Sequence, residues 1–155
     1  MFTPVSRLFA HVQMADLAEI RRFTMETAVS FSADPNAMEE LILALNEAVT
    51  NIIVHGYEQK PGDIEITITR QGYQLIIYLR DNAPLFDPTS KPTPDITLPL
   101  AQRPFGGMGI HMMRAFTDKL RYQVTTNGQN ELMLVKQCCH DEINHDYSQQ
   151  HMPKG

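Results

Sequence analysis

The chain is poor in several residue types, and each shortage excludes a class of protein. It has no tryptophan and only two cysteines, the adjacent Cys138 and Cys139. Adjacent cysteines rarely form a disulfide with each other, and no C-x-x-C spacing exists for zinc or redox chemistry. No apolar run approaches a membrane span, and residues 1–10 lack the apolar core of a secretion signal. These absences predict a cytoplasmic protein with reduced thiols.

Basic residues are also scarce. The 13 lysines and arginines are outnumbered by 18 aspartates and glutamates, which gives a formal charge of −5. A nucleic-acid binder normally presents a basic face, so direct contact with DNA or RNA is not expected. The negative net charge does not exclude a nucleotide ligand, because a nucleotide site supplies its own local positive field. With 155 residues and 43% hydrophobic content, the chain is predicted to form one globular domain.

The first half of the chain predicts a strand followed by two helices. Residues 5–13 favour an opening strand, and apolar spacing over residues 15–31 favours a helix. Asp34 and Pro35 then form a helix-start signal, in which a capping side chain precedes a proline at the first helical position. That second helix is predicted to run to about His55, with Gly56 as its stop.

The second half predicts two hairpins separated by an irregular segment. Residues 63–70 and 73–80 alternate as paired strands, and residues 119–126 and 130–137 form another hairpin around an Asn-Gly turn. Between them, residues 82–106 hold six of the ten prolines and predict a lid. A helix is predicted after the glycine turn, carrying apolar residues as far as Leu120, and residues 138–155 are expected to be a polar, flexible tail.

This order of elements predicts an α+β domain spanning residues 1–137. Only the helices and one sheet are available to bury each other, which favours a two-layer α/β sandwich. The sheet is expected to be mixed but mostly antiparallel, with three helices on one face.

Glu47 and Asn51 are the first candidate functional residues. They lie four positions apart on the predicted second helix, so their side chains share one face. A carboxylate beside an amide can hold a hydrated Mg²⁺ and orient or deprotonate a hydroxyl. The spacing alone is common, and taken by itself a solvated helix edge is the better interpretation.

Two further signals follow along the chain. Asp81 ends a predicted strand immediately before the lid, where a carboxylate can accept a hydrogen bond from an amino group such as that of adenine. Gly107 and Gly109 precede a helix, and glycines let the backbone approach an anion at the free N–H groups of a helix start. A turn residue and a lid hinge are the respective alternatives, and neither common Gly-rich nucleotide motif is present.

The order of these signals, more than any one of them, carries functional information. EAVTNIIVHGY, DNAPLFDP and GGMGI resemble the three nucleotide-binding boxes of the ATPase domain that DNA gyrase and histidine kinases share. Within that superfamily, which has a Bergerat-type ATP-binding fold, residues 5–137 most resemble the anti-sigma-factor serine/threonine kinases.

The resemblance implies a role for each matching residue. Asn51 would coordinate Mg²⁺, Glu47 would act as general base on a serine or threonine hydroxyl, and Asp81 would bind the adenine amino group. The backbone at Gly107, Gly109 and Ile110 would wrap the phosphates of ATP. The remaining residues expected at the nucleotide are Ala83, Phe86, Arg103 and Met108.

Three positions raise further questions about function. Ala83 stands where the family usually has a glycine near the adenine ring, so its methyl group raises the question of weakened ATP binding. Lys91, like Arg103, is a lid cation that could neutralise the γ-phosphate. Arg22, on the first helix, is a candidate interface residue, because in the resembling family that helix takes part in dimerisation and partner docking.

The resemblance implies protein partners as well as a ligand. The family sequesters a sigma factor and phosphorylates a small antagonist protein, and it forms homodimers. Three alternatives stay open from the sequence: a nucleotide-dependent switch without catalysis, a detached histidine-kinase ATPase domain, and an interaction domain that has lost the nucleotide.

Overall fold

A computed structural model of the chain describes residues 2–90, 97 and 107–141. Its regular elements, in chain order, are the strand β1 (Val5–Phe9), the helices α1 (Leu17–Ser30) and α2 (Pro35–Asn51), the strands β2 (Ile64–Gln71) and β3 (Gln74–Asp81), the helix α3 (Gly107–Ala115), and the strands β4 (Lys119–Val124) and β5 (Asn130–Gln137). Short 3-10 turns cover Met14–Asp16 and Pro88–Ser90, and a π-helical turn covers Ile52–Gly56.

The five strands form one sheet in the order β1-β2-β3-β5-β4. Every neighbouring pair in it is antiparallel, so the sheet is fully antiparallel and not mixed as the sequence suggested. The three helices cover one face, which confirms the α+β class and the two-layer arrangement. Antiparallel hairpins can leave one face of a sheet to water, and this explains the strict alternation that was visible in β2.

The core lies between the sheet and the helices. β2 and β3 send alternate aliphatic side chains into it, and the helices meet them with an apolar stripe. Its fully buried members include Ile20, Leu41, Leu45, Ile64, Ile66, Ile68, Leu75, Ile77 and Leu79. This packing fixes the position of α2 on the sheet, and therefore the position of the polar residues beside its apolar stripe.

The start of α2 follows the sequence signal closely. The Asp34 side chain accepts a hydrogen bond from the backbone N–H of Asn36 at 3.0 Å, and Pro35 occupies the first turn. The proline loses nothing there, because its missing N–H would have had no partner within the helix.

The end of α3 differs from the prediction. The sequence placed Leu120 both at the end of this helix and in the strand of residues 119–126. The helix ends at Ala115 and Leu120 lies in β4, paired with Leu134, so the strand assignment is confirmed and the helical one is wrong. One apolar residue fits both a helical and a strand pattern, and pairing with β5 decides between them.

The packed chain continues beyond residue 137, where the tail was expected to begin. Cys138 and Cys139 are both buried and free, and Cys139 forms an isolated bridge with Ala33. The backbone carbonyl of Cys138 accepts a hydrogen bond from the N–H of Asp34 at 2.7 Å. The first tail residues therefore close the core beside the start of α2, and the rest of the predicted tail, from residue 142 on, lies outside the described residues.

None of the helices in the described ranges is both long and apolar enough to cross a membrane.

The capping interaction predicts a stability effect. Asp34→Ala should lower the free energy of unfolding by about 1 kcal/mol, because a backbone N–H in the first turn of α2 loses its acceptor. Asp34→Asn, which keeps the capping oxygen, should cost much less. Urea unfolding at pH 7 checks both variants. Equal losses in the two would show that the charge of Asp34, and not its cap, is what matters.

Candidate functional site

A cavity of about 400 Å³ opens between α2, α3 and one end of the sheet. Its walls are mostly apolar, and its polar groups are few. The lining residues are Ala48, Asn51, Ile52, His55, Gly56, Asp81, Ala83, Pro84, Leu85, Phe86, Pro88, Ile110, Met113, Tyr122, Asn130 and Leu132. An apolar slot with a few convergent polar groups is the usual form of a small-molecule site.

Asp81 lies at the end of β3 and is only 5% exposed. Its Oδ1 accepts two hydrogen bonds, from the Ala83 backbone N–H at 3.0 Å and from the Asn130 amide at 2.9 Å. Burial raises the pKa of the Asp81 carboxyl above its ordinary value, although both hydrogen bonds oppose the shift. Within the described residues no group donates to Oδ2, so this oxygen is available to a ligand.

Asn130 is a site residue that sequence reasoning missed. It begins β5 and lies directly across from Asp81 in the antiparallel register, on the side of the sheet that faces the helices. The sequence offered one signal, the position of Asn130 two residues after the Asn127-Gly128 turn. That signal does not reveal which strand β5 pairs with, and the pairing is what places the amide against the carboxylate.

Ala83 is accommodated by a glycine on the opposite wall of the pocket. A Cβ atom built on Gly56 would lie 3.0 Å from the Ala83 Cβ, tighter than ordinary packing. Ala83 is also absent from the residues with positive φ, so the alanine causes no backbone strain. Gly56 therefore does more than end a helix, because its missing side chain makes room for the methyl group of Ala83.

The glycine turn lies against the polar stripe of α2. A Cβ built on Gly109 would lie 2.8 Å from Glu47 Oε2 and 3.9 Å from Asn51 Oδ1. The structure therefore brings Gly109 next to Glu47 and Asn51, a pair that the sequence singled out separately from the glycine turn. Any side chain at position 109 would push the Glu47 carboxylate away from its present position.

A π-helical turn connects α2 to this wall of the pocket. It follows Asn51 directly and is closed by a hydrogen bond from the Tyr57 N–H to the Ile52 carbonyl at 2.8 Å. The Tyr57 hydroxyl donates to the Asp63 carbonyl at 2.6 Å and accepts from the Asn82 N–H at 2.8 Å. The wider turn places Gly56 in the lining, and Tyr57 ties the end of α2 to the residue after Asp81. Such turns are frequent at functional sites.

The other predicted site residues lie partly at the cavity, partly at the start of α3 and partly outside the described residues. Ile110 is 2% exposed and lines the cavity, while Phe86 is 51% exposed at its rim. Gly107 begins α3 with Met108 as its second residue. Lys91 and Arg103 lie outside the described residues.

Arg22 lies away from the cavity, on the surface of α1. Its guanidinium forms ion pairs with Glu19 and Glu26 of the same helix. These contacts make Arg22 part of a charged helix face and leave its interface role a prediction.

This arrangement fits a nucleotide with a bound Mg²⁺. The apolar walls suit a planar base, and the Oδ2 of Asp81 offers a buried acceptor to an amino group on it. The first N–H groups of a helix favour phosphate, and Gly109, which has no side chain, lets this helix start lie against the Glu47 carboxylate. Asn51 supplies an oxygen atom of the kind that Mg²⁺ prefers, and the Glu47 carboxylate lies beside the same glycine.

Comparison with known proteins identifies the class. A family model described as the histidine kinase-like ATPase domain matches residues 11–136, and the chain belongs to this family. Use of ATP follows from that membership. The ATPase-domain resemblance read from the three boxes is thereby confirmed.

Named relatives narrow the class further. The chain is 28% identical over 131 residues to the anti-sigma F factor of Anoxybacillus flavithermus, covering 81% of this chain and 90% of that protein. It is 32% identical over 96 residues to the serine/threonine-protein kinase BtrW of Bordetella bronchiseptica, covering 61% and 67%. It is 27% identical over 139 residues to the serine-protein kinase RsbW of Bacillus cereus, covering 85% and 84%. These relatives confirm the resemblance to anti-sigma-factor kinases.

The buried Asp81 predicts a stability difference that depends on pH. Because the pKa of Asp81 is raised in the folded state, its stabilising contribution is present below the unfolded pKa and is lost as pH rises through the folded pKa. Asp81→Asn carries no charge, and its Oδ1 still accepts from Ala83 and Asn130. The variant should therefore be more stable than the wild type at pH 7.

Urea unfolding of both proteins at pH 7 and at pH 4 measures this difference. The advantage of Asp81→Asn should shrink at the lower pH, where the wild-type carboxyl approaches the neutral form. An advantage of the same size at both pH values, or a less stable variant at pH 7, would contradict the assignment.

Proposed function

We propose that this protein is an ATP- and Mg²⁺-dependent serine/threonine kinase that holds a regulatory partner, a sigma factor, and phosphorylates a small antagonist protein. The observation that carries the proposal is the buried carboxylate of Asp81 at the base of an apolar slot, with one oxygen engaged and the other available. The names of the relatives support the kinase class and the link to sigma factors.

Adenine recognition would take place at the sheet end of the cavity. The Oδ2 of Asp81 would accept a hydrogen bond from the exocyclic amino group, while Ile110 and Leu132 would contact the flat faces of the ring. Both residues are buried and line the same cavity. An acceptor already held by two donors needs no reorganisation when the ligand arrives, which favours binding.

Phosphate binding would take place at the other end, where α3 begins. The backbone N–H groups from Gly107 to Ile110 are the first of that helix and would donate to the phosphate oxygens. Asn51 would hold the Mg²⁺, whose charge offsets that of the phosphates. Arg103 and Lys91 are proposed to add positive charge from the lid.

Glu47 is the proposed general base. Phosphoryl transfer depends mainly on positioning and on charge neutralisation, together with a carboxylate that orients the attacking hydroxyl. Glu47 would accept the proton of the serine or threonine hydroxyl. The hydroxyl oxygen would bond to the γ-phosphorus of ATP as the bond between that phosphorus and the departing ADP oxygen breaks. The clearance at Gly109 keeps this carboxylate beside the start of α3.

A non-catalytic switch is the main alternative, and its support was the methyl group of Ala83. The contact between Ala83 and Gly56 weakens that support, because the methyl occupies space that a glycine leaves open. Glu47 would have no evident use in a switch. The proposal also includes a homodimer in the cytoplasm, and α1 with Arg22 is the surface we assign to docking.

Glu47→Gln tests the proposal, because it keeps the size of the side chain and removes its basicity. Phosphate transfer from labelled ATP to candidate antagonist proteins encoded beside this gene should fall by about 100-fold or more. The affinity for Mg²⁺-ADP, measured by calorimetry, should change little.

Glu40→Gln is the matched control. Glu40 lies on the same helix, pairs with Lys136 and is exposed, so its loss should leave transfer intact. Undiminished transfer in Glu47→Gln would remove Glu47 from the reaction. Nucleotide binding by the wild type with no transfer to any candidate would favour the switch.

A further inference from the structure

Both polar atoms of the Asn130 side chain are engaged in hydrogen bonds. The two hydrogens on its Nδ2 are shared among three acceptors, Asp81 Oδ1 at 2.9 Å, the Ala83 carbonyl at 3.1 Å and the Pro84 carbonyl at 3.3 Å. Its Oδ1 accepts from the Phe86 backbone N–H at 3.1 Å and from the Tyr122 hydroxyl. The residue is only 7% exposed.

These partners fix the orientation of the amide. Turning it over would set Oδ1 against the Asp81 carboxylate and the two carbonyls, and would face the NH₂ group toward the donor at Phe86. A reversed amide would therefore lose these contacts and add repulsion. The NH₂ group must point at Asp81.

The fixed orientation of the Asn130 amide makes the two oxygens of Asp81 unequal. An ionised carboxylate oxygen has about two acceptor positions, and on Oδ1 these are taken by Asn130 and by the Ala83 N–H. Only Oδ2 can receive a ligand. The site therefore offers a base one carboxylate oxygen and not two.

Purine bases differ in how many donors they present to such a group. Adenine has a single exocyclic amino group, next to a ring nitrogen that only accepts. Guanine has a ring N–H beside its amino group, and the pair matches both oxygens of a free carboxylate. A buried donor without a partner is costly, so the engaged Oδ1 should penalise guanine.

From this geometry we infer that Asn130 sets the base specificity of the pocket, selecting adenine over guanine by occupying one oxygen of Asp81. The inference rests on the proposed nucleotide site. Asn130 acts through Asp81, and so it is a positioning residue. The same amide also holds the first turns of the segment after β3, through Ala83, Pro84 and Phe86.

Calorimetry with Mg²⁺-ADP and Mg²⁺-GDP tests the inference. Asn130→Leu removes the donor at similar volume and frees one acceptor position on Asp81. The ratio of the GDP to the ADP dissociation constant should fall about tenfold, the worth of one hydrogen bond. Asn82→Leu is the matched control, because Asn82 is exposed beside Asp81 and its amide does not contact that carboxylate. It should keep the wild-type ratio.

Asn130→Asp adds a readout that a merely structural role would not move. When the introduced carboxyl group is protonated it again donates to Asp81 Oδ1, whereas the ionised group does not. Two carboxyl groups in contact resist double ionisation, so the change falls at accessible pH. The ratio should be higher at pH 6 than at pH 8 in this variant and constant in the wild type.

Each outcome has a separate meaning. If Asn130→Leu weakens both nucleotides equally and Asn130→Asp shows no pH dependence of the ratio, Asn130 only supports the fold and the inference fails while the proposed function stands. If the wild type binds neither nucleotide, the proposed function fails and the inference with it.

Discussion

The buried pair of Asp81 and Asn130 is the interaction on which the site depends. The two residues end β3 and begin β5, and the antiparallel register sets them opposite each other on the face that the helices cover. One hydrogen bond joins them, and the Ala83 N–H completes the shell of the same carboxylate oxygen. A carboxylate at this depth is expensive to bury, and these donors reduce that cost without removing it.

That cost supports the proposed role of Asp81 in binding a ligand. The raised pKa of Asp81 shows that burial outweighs its two hydrogen bonds, so the free protein carries an electrostatic penalty at neutral pH. A donor from a ligand on Oδ2 would relieve it. The same logic applies at Gly109, where a helix-weakening glycine leaves room for Glu47. At both positions the proposed function comes at a cost in stability.

Local signals in the sequence predicted the elements well. Asp34 and Pro35 marked the start of α2, and the alternation of Ile64, Ile66 and Ile68 marked a strand with one buried face. These features depend on neighbours along the chain, which a sequence displays directly. Leu120 fitted both the helical and the strand pattern, and strand pairing, not the local pattern, decides its state.

The part of the site that depends on distant contacts could not be predicted in this way. Asn130 gains its role from pairing with Asp81, a residue 49 positions earlier, and register is not visible in local composition. Ala83 read as a possible defect, because the space it fills belongs to Gly56, far from it in sequence. Residue types and their order suggested a nucleotide ligand. Tertiary contacts decide which oxygen of the Asp81 carboxylate is available to it.

A crystal structure with Mg²⁺ and a non-hydrolysable ATP analogue tests the central claim most directly. We expect the exocyclic amino group of adenine within hydrogen-bond distance of Asp81 Oδ2, with Oδ1 still bonded to Asn130. We also expect the phosphates at the start of α3, next to Asn51 and Glu47. A base bound away from Asp81, or an amino group paired with Oδ1 after displacement of Asn130, would contradict the claim.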